Sequence, residues 1–389
     1  MAAVIFWWVV FGVSGAGWAP AEGDESDYLA RALRFSEEGW SVFADGYRPP
    51  LFPLVAGGVL AALGEDRSLF IARATNLFLV SLIPLVWWWR GTRRKDPVSL
   101  WMALLLTGWA PFYLLSYMAY AEALSLLLLN LLVVLVLRVT PEGRTAFGVT
   151  AMVGIALLLA ALFYTKANNI LVAVPVGLFL FLFARGPLLG RFLRVAALAV
   201  LTALFLVPWL LFLRAQSGEW QVTTTGGYNL LVGTGQYNFG MQEDPRAIHR
   251  RYFESYQERS ADVLGGDFFS VLESEEVRSN KYVQNQVAFD RATAVWRSLP
   301  QEQFRYALLK VLHSQGFSWR GLQDYIMVAF FGGTVLASLL LLWTRFERRL
   351  LFLHWGCLLM GCVVAFVWGT SNNSFTAVGR ACPVTGIGP

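Results

Sequence analysis

Runs of about 20 consecutive, largely apolar residues recur along this chain, and no other feature restricts its fold as much. A bilayer core about 30 Å thick takes roughly 20 helical residues to cross, and unpaired backbone groups are too costly in hydrocarbon, so each run predicts a membrane-spanning α-helix. The runs fall at 3–20, 70–89, 98–115, 121–138, 146–164, 168–184, 195–213, 326–343 and 350–369. Of the 389 residues, 56% are hydrophobic and 15% charged. Soluble domains carry roughly 25% charged residues, so a cytosolic enzyme and a disordered chain are both excluded. The first run lacks a basic leader and carries Trp7 and Trp8 in its middle, which reads as a retained anchor rather than a secretory signal.

The apolar segment 50–63 is short and holds Pro53 and Gly57-Gly58. If it crossed, Arg90, Arg93, Arg94 and Lys95 would face outward, against the positive-inside rule. If it lies in the interface or re-enters, the loops 90–96, 138–144, 185–194 and 345–349 share one side with 12 basic and 3 acidic residues. The acidic loop 21–50, the turns near Glu122 and Lys166 and the long polar segment 214–325 then share the extracytoplasmic side. Three regions follow: a membrane region 1–213 that includes the first outer loop 21–69, an outer domain 214–325, and a C-terminal region 326–389 of spans and a short tail. The outer domain is expected to be α-rich, with helices over 280–297 and 301–312 divided at Pro300, and Gly-rich, β-prone sequence over 222–240. The tail 371–389 reads as an interrupted chain.

The net charge of +5 does not mark a nucleic-acid-binding surface, because segment 214–325 holds 12 basic and 13 acidic residues and the basic excess sits in short loops between spans. Cys357, Cys362 and Cys382 are scattered, as are His249, His313 and His354. Neither a disulfide framework nor a metal-ligand spacing is present.

The first outer loop is the most informative stretch. Tyr28, Leu29, Ala32, Leu33 and Ser36 form one helical stripe, with Arg31, Arg34, Glu37 and Glu38 turned away, as in an amphipathic helix lying on a membrane surface. Asp24 reads as a helix cap supported by Asp27 three residues on, or as a carboxylate able to take a proton from a bound hydroxyl. Arg48, before Pro49-Pro50, and Lys166, in Tyr164-Thr165-Lys166, are lone cations at the outer boundary. They either snorkel to headgroups or hold a lipid-linked phosphate. Glu122 is an interfacial acid by default and a second site carboxylate on the sharper reading. The run 223–235, rich in glycine, lacks the lysine and spacing of a phosphate loop and reads first as tight turns and close backbone approaches.

Taken in order, these pieces resemble the GT-C-fold membrane glycosyltransferases that use polyprenyl-phosphate sugars, nearest the dolichyl-phosphate-mannose protein mannosyltransferase and lipid A aminoarabinose transferase group. The resemblance rests on Asp24-Glu25 with Tyr28, Arg48-Pro49-Pro50, Tyr120-Ala121-Glu122, Thr165-Lys166, Pro208-Trp209 and Gly226-Gly227-Tyr228-Asn229-Leu230 with Gly233. It implies an all-α polytopic membrane protein of GT-C type with about nine transmembrane helices, placed in the cell (inner) membrane with its site on the outer face. The implied reaction moves a sugar from a polyprenyl-phosphate donor to a hydroxyl of a protein, lipid or glycan acceptor, with inversion. The resemblance assigns Asp24 as base with Glu25 as orienting or alternate acid, Arg48 and Lys166 to the donor phosphate, and Tyr28, Tyr47, Glu122 and Asn229 to substrate. It requires no cofactor, though a divalent cation at Glu122 is compatible with it. A transporter or lipid flippase would instead place acids or broken helices at mid-membrane, and a non-catalytic scaffold would need none of the outer-face charges.

Overall fold

A computed structural model describes residues 2–21, 24–64, 66–108, 113, 116–139, 148–184, 186–231, 234, 259–260, 262–264, 277, 279–305 and 307. Helix is the regular structure throughout, and no strand occurs among the described residues. Among the described residues the helices begin with α1 (Ala2–Val13), α2 (Asp24–Glu38), α3 (Leu51–Leu63), α4 (Ser68–Arg94), α5 (Pro97–Gly108) and α6 (Glu122–Arg138). They continue with α7 (Val149–Thr165), α8 (Ala173–Phe183), α9 (Leu188–Ser217), α10 (Gly226–Leu231) and α11 (Lys281–Ser298).

Among the described residues two helices, α4 with 27 residues and α9 with 30, are long and apolar enough to cross a membrane. At 1.5 Å per residue they reach about 40 and 45 Å. Only Leu198, Thr202, Trp209 and Leu213 of α9 are buried, while Leu189, Phe192, Val200, Leu204 and Leu211 lie exposed along it. An apolar face of that length left exposed by the described residues fits a lipid-facing surface. The other apolar helices are shorter than the expected spans. α1 stops at Val13 because Gly15 turns left-handed (φ 68°) into a 3-10 turn at Ala16–Trp18, which corrects the expected run to residue 20. The expected spans 326–343 and 350–369, the tail, the three cysteines and the three histidines lie outside the described residues.

Buried polar side chains tie the helices together. Trp87 donates to Asn130 (2.7 Å), and the Asn76 amide donates to the carbonyls of Met118 (2.6 Å) and Tyr120 (2.8 Å), joining α4 to α6 and to the strand of chain before it. Trp7 donates to the Thr107 carbonyl and Tyr117 to the Trp7 carbonyl, which seats α1 beside α5. α6 starts at Glu122 and ends at Arg138, where the guanidinium lies over Trp89 near the end of α4. α7 returns to Lys166, and α9 brings Trp209 and Leu213 against Val42, Phe43 and Phe163. One end of the bundle therefore collects the 21–50 loop, Glu122 and Lys166, and the opposite end collects Arg90, Arg93, Arg94 and Arg138.

The short α3 packs against α2 so closely that a Cβ on Gly57 would stand 2.8 Å from the Ala32 carbonyl oxygen. At 13 residues it reaches about 20 Å, too short to cross. Two further expectations are corrected. Arg31 is not turned to solvent: it is buried, because the chain after α2 folds back and presents Asp45 (2.7 Å) and the Val42 carbonyl (2.7 Å) to a guanidinium already bonded to Asp27 (3.1 Å). The sequence at 226–231 is helical rather than extended, because α10 is stabilised by packing on α11. The expected helix over 280–297 is present as α11, capped by the Asn280 side chain accepting from the Tyr282 and Val283 N–H groups. Residues 300–305 are helical as well.

Candidate functional site

Arg48 is the centre of the site. Gly46 adopts φ 62°, a left-handed value that glycine accepts without strain, and Pro50, with φ -81° and ψ -19°, leads the chain from Arg48 into α3. The guanidinium pairs with Asp24 and, at 2.9 Å, with Asp27, two acids one helical turn apart on α2. It also lies over the rings of Tyr28 (4.9 Å) and Tyr47 (4.6 Å). A charge held by two carboxylates and two aromatic faces is fixed in position, and planar Arg suits this better than Lys. The Arg48 side chain is 13% exposed while that of Asp24 is 59% exposed, so the carboxylate faces the opening.

The second pair is Lys166 with Glu122, at 2.8 Å. Glu122 opens α6, where the helix dipole favours an acid, and Lys166 follows the last residue of α7. Both side chains remain accessible, at 46% and 38%, although protein atoms crowd around them.

Tyr28 links the pairs electrostatically. Burial pushes its phenol up to about 12, Arg48 and Lys166 pull it back, and Glu122 and Asp24 add to the rise. The residue is only 4% exposed, so its ring serves as a packing face for Arg48 and does not face the opening. Burial also raises Tyr47. For Arg48, burial disfavours the charge, but Tyr28, Asp24, Tyr47 and the bond to Asp27 outweigh it and hold the group above its ordinary value. Glu122 holds Lys166 above the usual lysine range against the opposing effect of burial. Both cations are thus firmly charged.

Glu25 departs from its expected role. It is completely buried, accepts from Arg73 at 2.7 and 2.6 Å and from the Ala119 N–H at 2.6 Å, and both its oxygens are engaged. Arg73 is in turn bonded to the carbonyls of Ala19 and Pro20. Glu25 therefore ties α2 to α4 and does not share the opening with Asp24. Asn229 is also apart: it lies on α10, and among the described residues no hydrogen bond joins its side chain to the Arg48 or Lys166 pairs.

Three contributors were not singled out from sequence. Asp27 was read only as cap support, although its spacing from Asp24 puts both on one face. Asp45 fastens Arg31. Lys281, at the start of α11, places its ammonium 5.5 Å from the Tyr47 ring centre. Its approach depends on Tyr282 donating to the Ala44 carbonyl (2.6 Å) and on Thr224 bonding to the Asp45 carbonyl (2.9 Å), long-range contacts with no local signal. Among the described residues no group of three or more His, Cys, Asp or Glu is arranged to hold a metal ion. Asp24 and Asp27 already face Arg48, so a divalent ion between them would have to displace the guanidinium.

No protein-family model matches the chain, and no curated protein and no solved structure matches it.

Proposed function

We propose that the chain is a multi-pass inner-membrane glycosyltransferase of GT-C type, with about nine spans, that moves a sugar from a polyprenyl-phosphate donor to an acceptor hydroxyl on the outer face. The observation that carries this reading is the convergence of Asp24, Arg48, Glu122 and Lys166, from four separate segments, at one end of a helical bundle. Two firmly charged cations at one end of the bundle suit a lipid-linked phosphate, and the exposed carboxylate of Asp24 beside Arg48 suits a base.

In this mechanism the donor phosphate competes for Arg48 and Lys166. Asp24 is the exposed partner of Arg48 and is released by that exchange, while Asp27 keeps the guanidinium in place. The acceptor hydroxyl gives its proton to Asp24, its oxygen bonds to the anomeric carbon, and the bond from that carbon to the phosphate oxygen breaks. The electron pair leaves with the polyprenyl phosphate, whose charge Arg48 and Lys166 stabilise. Glu122 positions Lys166, and it orients the acceptor. The acceptor is a protein, lipid or glycan, and no cofactor takes part in these steps.

The test is sugar transfer in proteoliposomes by the full chain and by Asp24→Asn, with a panel of polyprenyl-phosphate sugars and cell-envelope acceptors. Turnover by the first is expected, with a loss of about 100-fold or more in the second, the usual weight of a general base. Asn serves as a helix cap about as well as Asp, so the fold is retained. Most of the activity surviving in Asp24→Asn would remove Asp24 as base, and silence of the wild type with every donor would remove the transferase reading.

A further inference from the structure

The end of the bundle opposite the charged site carries a different arrangement. Arg138, the last residue of α6, lies 4.7 Å over the Trp89 ring, and Arg93, near the end of α4, lies 5.8 Å from the same ring. Arg94 is close enough to Arg138 for the two charges to repel. Among the described residues no carboxylate is within ion-pair distance of Arg93, Arg94 or Arg138. Asp96, the neighbouring acid, is taken up by Arg90 (3.4 Å), Ser99 (2.6 Å) and the Val98 N–H (3.1 Å). Around this corner Trp88, Trp89 and Trp101 are 57%, 45% and 64% exposed.

Three guanidiniums gathered with no carboxylate partner among the described residues carry a repulsion that a bound anion would relieve. The helices beneath them are held together by the Trp87–Asn130 bond, so the corner is preformed. Exposed tryptophans belong at the level of lipid headgroups, and guanidinium is the side chain best matched to a phosphate in that zone. We propose that the Arg93, Arg94 and Arg138 corner, around Trp89, is a binding site for the phosphate of an anionic glycerophospholipid of the inner leaflet. The proposal rests on the membrane placement of the bundle and is independent of the sugar-transfer chemistry.

The test uses the purified full chain in detergent, with retained lipid counted by native mass spectrometry during titration with phosphatidylglycerol or phosphatidylcholine of matched acyl chains. Arg94→Gln removes an exposed charge and should weaken phosphatidylglycerol binding about five-fold, with the triple variant R93Q/R94Q/R138Q weaker still. Arg214→Gln is the matched control, since Arg214 lies 4.5 Å over Trp220 at the other end, and it should leave binding unchanged. Because Arg94→Gln breaks no described bond, it decides the question even if the triple variant fails to fold. Equal binding of the two lipids, no weakening in Arg94→Gln, or the same weakening in Arg214→Gln would each overturn the proposal.

Discussion

Asp24 and Glu25 are adjacent in sequence and opposite in consequence. Helix geometry sends one carboxylate to the opening and the other, about 100° round, into the protein against Arg73. Glu25→Gln leaves the Arg73 charge buried without its counter-ion, a change that costs about 3–5 kcal/mol. Reduced accumulation and a lower thermal transition are expected, whereas Asp24→Asn should melt near the wild-type temperature. Equal melting temperatures for both variants would contradict the structural role of Glu25. The Tyr28 phenol offers a pH test. Its folded pKa, about 12, is above the unfolded value of 10.0, so its contribution is fully present below pH 10 and is lost as pH rises through 12. The loss amounts to roughly 3 kcal/mol. Melting temperature followed against pH should fall less steeply over that window in Tyr28→Phe than in wild type, and identical slopes would mean that the phenol is not held neutral. Arg48, Glu122 and Lys166 were legible in the sequence as isolated charges at the edges of apolar runs, and Asp24 as the acid that opens an amphipathic stretch. The burial of Glu25 was not, since its partner lies 48 residues away.

Close helix pairs explain which glycines matter. A Cβ on Gly227 would stand 2.0 Å from the Asn285 carbonyl oxygen and 2.9 Å from the Phe289 nitrogen, so α10 and α11 approach each other only because that position has no side chain. The Gly227 N–H also donates to the Asn285 side chain at 2.6 Å. Gly227→Ala must push the helices apart, at a cost of about 1–3 kcal/mol or more. Faster hydrogen exchange in 281–298 is expected, and unchanged exchange there would show that the two helices do not pack as described. The reading of these glycines as close backbone approaches was correct at Gly227. The β-prone reading of the same stretch failed because propensity over six residues is weak beside the burial of Leu231 against Ala288 and Ala292. By contrast, α4, α6 and α7 were legible in the apolar pattern, since each is long and its pattern needs no distant partner. Arg31 was misplaced because the amphipathic stripe treats an Arg as solvent-facing, and only the returning chain at Asp45 supplies the acid that makes burial tolerable.

At the scale of the whole molecule, the charges are divided between two ends, and the choice of donor depends on which end faces out. The proposed orientation follows the preference of basic residues for the cytoplasmic side: Arg93, Arg94 and Arg138 would face the cytoplasm, and Arg48 and Lys166 the outside. A polyprenyl-phosphate donor fits an outer site, whereas a nucleotide sugar is available to an inner one. The two orientations are separated by single cysteines in a variant with Cys357, Cys362 and Cys382 changed to serine. Glu37 lies exposed towards the end of α2, the helix that carries Asp24 and Asp27, and Thr92 lies exposed near the end of α4 among the arginines. Neither belongs to the charged site, so Glu37→Cys and Thr92→Cys should both insert normally. A membrane-impermeant maleimide added to intact cells is expected to label Glu37→Cys and to reach Thr92→Cys only after the membrane is opened. The reverse pattern would turn the site to the cytoplasm, remove the case for a lipid-linked donor, and move the arginine corner to the outer leaflet. Labelling of both positions from outside would mean that α4 does not cross, and the bundle would then have to bury its apolar α9 face against protein instead of lipid.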